Sequence, residues 1–158
     1  MPRVIVIIFV VWAAVSISFA WLTGRAMAED GAEYVGPEIC QYYHPDEYDD
    51  FVTYSKMVKS FENILLMKKN LPEEEFQTCF ECHTTGYGEP GGFISEAQTP
   101  HLKNIGCETC HGPGSFHAET GEPEYIRGRL SREFCEKCHN DERVTTFRYK
   151  PMIFGGVH

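Results

Sequence analysis

Cys107-Glu108-Thr109-Cys110-His111 is one of three copies of Cys-x-x-Cys-His in the chain, between Cys79-Phe80-Glu81-Cys82-His83 and Cys135-Glu136-Lys137-Cys138-His139. On a helical turn, positions i, i+3 and i+4 share a face. Two thiols can therefore bond the two vinyl groups of a haem while the imidazole beneath them reaches its iron, which makes this spacing the attachment signature of c-type haem. Zinc ribbons and thiol redox sites also use Cys-x-x-Cys. Neither has a reason to place histidine after the second cysteine each time, and six of the seven cysteines fall in these motifs. The chain is read as carrying three covalent haems, with thioethers from Cys79, Cys82, Cys107, Cys110, Cys135 and Cys138. His83, His111 and His139 are the proximal iron ligands.

The N-terminus indicates the compartment. Arg3 precedes an uncharged run from Val4 to Leu22, and Ala26-Met27-Ala28 before Glu29 has the small-x-small form of a signal peptidase site. Haem is joined to such motifs outside the cytoplasm, so export and haem binding support each other. Two readings of residues 1–28 stand. One is a cleaved signal peptide; the other is an uncleaved membrane anchor at residues 4–22, whose length at about 1.5 Å per residue covers roughly the hydrocarbon core of a bilayer. In both, residues 29–158 form a multihaem cytochrome c domain in the periplasm or on the extracytoplasmic face of the membrane.

The formal charge is −9, and it becomes −11 if residues 1–28 leave, because Arg3 and Arg25 go and no acid does. Haem propionates add further negative charge. An acidic redox protein favours a basic partner surface, and nucleic acid is excluded as a partner on the same ground. The plainer alternative is that the charge serves solubility.

About 130 residues remain beyond the leader, enough for one domain but few for three large cofactors. The porphyrins are expected to supply much of the core. The fold class is mainly α, a small multihaem cytochrome c of short helices and long loops, plus an N-terminal hydrophobic helix. One helix is predicted after His44, because Phe51, Tyr54, Val58, Phe61 and Leu65 recur at alternating steps of three and four up to Lys68-Lys69-Asn70. Leu71-Pro72 then starts a new segment. Ser131 is predicted to cap the last haem helix, and Gly112-Pro113-Gly114 to end the middle one. Thr84 to Gly92 reads as a glycine-rich loop. The one doubtful strand is Val144 to Tyr149.

Cys40-Gln41-Tyr42-Tyr43-His44 has the first cysteine and the histidine of a fourth haem site, with Tyr43 where the second cysteine belongs. Three readings remain open. A fourth haem is held by one thioether; or the site has decayed and kept only a fold role; or Cys40 gives a thiolate to a neighbouring iron. An odd cysteine in an exported protein also reads as a reactive thiol or an interchain bridge.

The stretches Tyr34-Val35-Gly36 to His44, His83-Thr84-Thr85-Gly86-Tyr87-Gly88, and His101 to Ser115 with His117 resemble the tetrahaem cytochrome c-554 family. The resemblance spans roughly Tyr34 to Asn140. It implies a mainly helical electron carrier with stacked haem pairs, many irons being held by two histidines. Distal ligands are drawn from His44, His101, His117 and His158, with Met57, Met67, Met152 and Cys40 behind them, and the resemblance favours His101 and His117. Two departures lie in one segment. Tyr43 replaces a haem-attaching cysteine, and Ser55-Lys56-Met57 stands where the family commonly has Ser-x-His. Met57 is then either a distal ligand, which would raise a haem potential, or a core residue.

The expected function is electron transfer, as a membrane-anchored subunit or partner of a redox complex or as a periplasmic shuttle. The alternatives are a haem enzyme acting on a small nitrogen, oxygen or sulfur compound, and a homo-oligomeric conducting filament in which His158 or Cys40 bonds the next subunit. No catalytic constellation is readable.

Overall fold

Proline fixes φ and needs no N–H partner in the first turn of a helix, and Pro37 and Pro45 each open one: α1, Pro37–Tyr43, and α2, Pro45–Tyr54. The computed structural model describes residues 31–155, and from Ala32 onward the chain forms one compact unit. The leader 1–28, with its anchor reading at 4–22, and His158 lie outside the described residues. Among the described residues no helix is long and apolar enough to cross a membrane.

The single helix predicted after His44 is in fact two. Ser55 is extended (ψ 131°), and its hydroxyl accepts from the Met57 N–H, so the chain restarts as a 3-10 turn, Lys56–Lys59. Helix α3, Ser60–Lys68, follows. The break shifts the apolar phase. Phe51 and Phe61 are buried as the spacing predicts, but Tyr54 is 68% exposed and Leu65 37%, while Ile64 takes the inward place at 4%. Periodicity counted across Ser55 could not detect the interruption, because a hydroxyl bonding the backbone ahead competes locally with helix continuation.

After Pro72, helix α4, Glu73–Gln77, places Glu73, Glu74 and Glu75 at its N-terminal turn, where the helix dipole favours negative charge. The haem motifs sit on short helices: α5, Phe80–His83; α6, Cys107–His111; and α8, Arg132–Cys135. Helix α7 is Ser115–Thr120 and α9 is Tyr149–Gly155, with 3-10 turns at Pro100–Leu102 and Pro123–Tyr125. Ser131 caps α8 by accepting from the Phe134 N–H at 3.2 Å, as predicted. Gly112, at φ +85°, ends α6 directly after His111. The described residues contain no strand. The doubtful strand at Val144–Tyr149 is replaced by a local turn, Val144 N–H to Asn140 O, and by the start of α9.

The hydrophobic core is Phe61, Ile64, Phe76, Phe80, Phe93 and Leu102. Phe80 is its hub, with ring centres 5.8 Å from Phe61, 5.2 Å from Phe76, 5.4 Å from Phe93 and 5.3 Å from Tyr87. These are edge-on or tilted contacts of the kind aromatic quadrupoles prefer. Since Phe80 lies between Cys79 and Cys82, the first haem motif is part of the core.

The loop after that motif closes through Gly92. A Cβ there would run into the Gly86 carbonyl oxygen, a backbone atom that cannot yield like a side chain. Gly92→Ala is expected to cost about 1–3 kcal/mol through overpacking. The measurement is the urea midpoint of the mature protein; an unchanged midpoint would show that the loop gives way without cost.

Candidate functional site

Each Cys-x-x-Cys-His segment forms a single helical turn. In the first, Cys82 N–H bonds Cys79 O at 3.2 Å; in the third, His139 N–H bonds Cys135 O at 2.9 Å; the second is wholly within α6. Thiols at i and i+3 and imidazole at i+4 thus share one face in all three, as covalent haem attachment requires.

The residue after each first cysteine faces inward in the first two motifs. It is Phe80 in one, set in the aromatic core, and Glu108 in the other, only 3% exposed. The Glu108 carboxylate accepts from the backbone N–H groups of Val35 (3.0 Å), Gly36 (2.8 Å) and Gly114 (2.8 Å). Charge-assisted bonds of this kind are the stronger ones, and they fix the segment before α1 against the turn after His111. A second network joins first and second motifs. Thr85 Oγ1 donates to Asn104 O (2.7 Å), pairs with Thr109 Oγ1 (2.8 Å) and accepts from the Gly106 N–H (3.1 Å).

Three imidazoles are oriented by main-chain carbonyls. Nδ1 of His83 lies 3.1 Å from Ser60 O, Nδ1 of His111 2.6 Å from Arg127 O, and Nδ1 of His117 2.9 Å from Glu122 O. A carbonyl can only accept, so Nδ1 carries the proton and the lone pair stays on Nε2. Metal-ligating histidines have this arrangement: one nitrogen anchored to the protein, the other turned to the ion. Ser60 does more at the first site, donating its hydroxyl to His83 O (2.8 Å) while accepting from the Ile105 N–H (2.8 Å). His139 packs against Phe147, ring centres 4.8 Å apart. Burial, and then the charge of nearby His83, holds its imidazole below the usual histidine range, favouring the neutral form that ligates metal. These residues therefore fit covalently attached haem.

The thiols bring the motifs together out of sequence order. Cys82 of the first motif is bonded to Cys138 of the third, Cα atoms 5.5 Å apart. A sulfur in that bridge cannot also add to a vinyl group, so bridge and thioethers are alternative states of one neighbouring pair. Arg143 donates to Cys82 Sγ at 2.7 Å. Burial, and then the charge of Cys135, pushes Cys110 up to about 11. Cys40 shares a hydrogen bond with Cys107, which with burial raises its pKa well above the usual thiol range.

The family described as cytochrome c554 and c-prime matches residues 39–112. Cytochrome c-554 of Nitrosomonas europaea is 28% identical to the chain, over 77% of this chain and 63% of its own length. Residues 39–112 are thus similar to that family, and the chain is similar to that relative. It spans less than two thirds of that relative. No solved structure matches it. The family's matched span begins just before Cys40 and ends just after His111, so it contains the single-cysteine segment and the first two motifs.

The remaining predicted residues divide by position. The rings of His44 and His117 are parallel, with 5° between planes and 6.1 Å between centres. His101 is exposed on the turn Pro100–Leu102 and lies against Gly36, where a Cβ would meet its ring at 3.0 Å. Gly36 also has φ +83°. Met57 is half-buried on its 3-10 turn. Sequence reasoning missed Ser60, Thr85, Asn104 and Glu108, each with a partner 19 to 73 residues away. Only the acid inside Cys107-Glu108-Thr109-Cys110 was visible, and nothing local marks it as buried.

Two predictions follow from this geometry. Glu108→Ala leaves three backbone donors without an acceptor and is expected to destabilise the protein by at least about 3 kcal/mol, at about 1–3 kcal/mol for each stranded group. Glu108→Gln should lose less, and denaturant titration of both variants reads the difference; equal, small losses would refute the role. In chain produced without haem attachment, a non-reducing digest should yield a Cys82–Cys138 cross-linked peptide that mature protein lacks. Its absence would count against the adjacency of the two motifs.

Proposed function

We propose that the chain is an extracytoplasmic electron carrier holding three haems, with His83, His111 and His139 as proximal ligands. The observation that carries this reading is the packing of three attachment turns into one small unit, with a sulfur of the first motif bonded to one of the third. Electron transfer needs little more than closely spaced irons held in fixed positions. When bound, haem supplies the one-electron chemistry. The chain's residues attach it, orient the imidazoles through Ser60, Arg127 and Glu122 carbonyls, and enclose the first site in aromatic side chains.

His101 is a distal ligand in this reading, since its ring lies beside the Gly36 segment that Glu108 ties to the second motif. The leader directs export and, if retained, holds the carrier at a membrane redox complex. The partner is a redox protein with a basic docking face. Asp46, Glu47, Asp49 and Asp50 on α2, with Glu73, Glu74 and Glu75 on α4, are all exposed and give the chain acidic surface for it.

The test is reduction of the mature protein followed by stopped-flow reoxidation with a small basic redox protein. The second-order rate is expected to fall by about tenfold or more between about 0.01 M and about 0.15 M salt, as steering is screened. A rate indifferent to salt would remove the basic partner from this reading. Absence of haem absorbance in mature protein would remove the reading itself.

A further inference from the structure

We infer that Arg127 is a positioning residue of the second haem site: it fixes His111 through main chain and side chain together, and it places a positive charge there that raises the potential of that haem. This deepens the carrier reading and rests on it.

Arg127 lies in the irregular segment between the turn Pro123–Tyr125 and α8, sixteen residues beyond His111. It grips the second attachment turn at three points. Its N–H donates to His111 O at 3.0 Å, its carbonyl accepts from His111 Nδ1 at 2.6 Å, and its guanidinium Nη1 donates to Cys110 O at 2.7 Å. The Cys110 and His111 carbonyls stand at the end of α6, where the last carbonyls of a helix have no partner within it. Arg127 satisfies both. The first two contacts use main chain that any residue but proline would offer. The third needs this side chain.

The same guanidinium reaches the third motif. Its Cζ stands 4.6 Å from the centre of the Phe134 ring, inside the range of about 6 Å over which a cation is drawn to an aromatic face. Phe134 immediately precedes Cys135, and its N–H is held by the Ser131 cap at 3.2 Å. Arg127 therefore rests on the third attachment turn while it bonds the second. A planar guanidinium can lie against a ring and donate in its own plane. An ammonium has no such plane and cannot do both in the same way.

The charge of Arg127 is not cancelled. Arg132 is paired with Glu136 at 2.7 Å, whereas Arg127 has no ion pair among the described residues. A ferric site carries one more positive charge than a ferrous one, so a fixed cation beside it favours the reduced form. The guanidinium is exposed, but it sits one hydrogen bond from the Cys110 carbonyl, well inside the screening length of about 10 Å at 0.1 M salt. A purely structural role is the weaker account, because the segment is also pinned at Leu130, whose carbonyl accepts from the Tyr149 hydroxyl at 2.5 Å.

The experiment is an equilibrium redox titration of the mature full-length protein, with ferric electron paramagnetic resonance and intact mass on the same samples. Arg127→Gln should keep its haems and lower one couple by about three- to tenfold in its reduction equilibrium constant, a tenfold change being about 59 mV for one electron. The ferric signal of that haem should broaden as His111 loses a constraint. Arg127→Lys should restore the potential, because it keeps the charge, and leave the signal broad, because it lacks the flat fork. An unshifted titration in Arg127→Gln, or an equal shift of every couple, would overturn the charge role; native ferric signals in both variants would overturn the positioning role. If Arg127→Gln loses a haem, Arg127→Lys decides: a native potential with a broadened signal supports the proposal, and any other outcome overturns it. Absence of haem from the unaltered mature protein would instead overturn the carrier reading.

Discussion

The Glu108 carboxylate gathers the backbone N–H groups of Val35, Gly36 and Gly114 around it while almost wholly removed from solvent. A buried charge is tolerable only when fully hydrogen-bonded, and here the bonding partners are main chain, so the carboxylate dictates where two segments run. The first leads directly into α1 and hence to Cys40 and His44. The second follows His111 and leads into α7 and His117. One side chain inside a haem motif therefore sets the relation between α1, α6 and α7, and the approach of His44 to His117 follows from it.

The first motif depends on a different physical device. Phe80 occupies the position equivalent to Glu108 but faces an aromatic cluster, so this turn is held by apolar burial where its counterpart is held by hydrogen bonds. The polar contribution comes from α3. Ser60 binds His83 through both its hydroxyl and its carbonyl, and its neighbour Phe61 donates its N–H to Asn104 Oδ1 at 3.0 Å. The break at Ser55 makes this possible, because a continuous helix from Pro45 would carry Ser60 and Phe61 in another phase. The interruption that defeats a periodicity count is thus the feature that aims α3 at the haem turn.

That contrast shows why the sequence was legible in some places and silent in others. The three attachment turns, the Ser131 cap and the Gly112 stop depend on residues within four positions of each other, so spacing alone reveals them. Helical content after His44 was also legible, from the recurrence of Phe51 and Phe61. The inward choice of Ile64 over Leu65 was not, because it turns on a single hydroxyl bond at Ser55. Least legible were the carbonyl anchors of His83, His111 and His117. Every residue carries a carbonyl, and only the fold decides that those of Ser60, Arg127 and Glu122 meet an imidazole. Glu108 belongs with them: its identity is plain, but its burial is a tertiary fact.

The thiol contacts give the motifs a spatial order that the chain order hides. Cys138 is bonded to Cys82, and α1 packs against α6, so the third motif meets the first and the Cys40 segment meets the second. The first motif and the Cys40 segment have unlike surroundings. Around Phe80 the side chains are aromatic and buried, whereas His44, Tyr42 and Tyr43 are exposed to solvent. Burial and solvent exposure are among the levers that set a haem potential, alongside the axial ligands. A haem held at the first motif would therefore meet a dry aromatic wall at Phe80, one of the surroundings that set its potential.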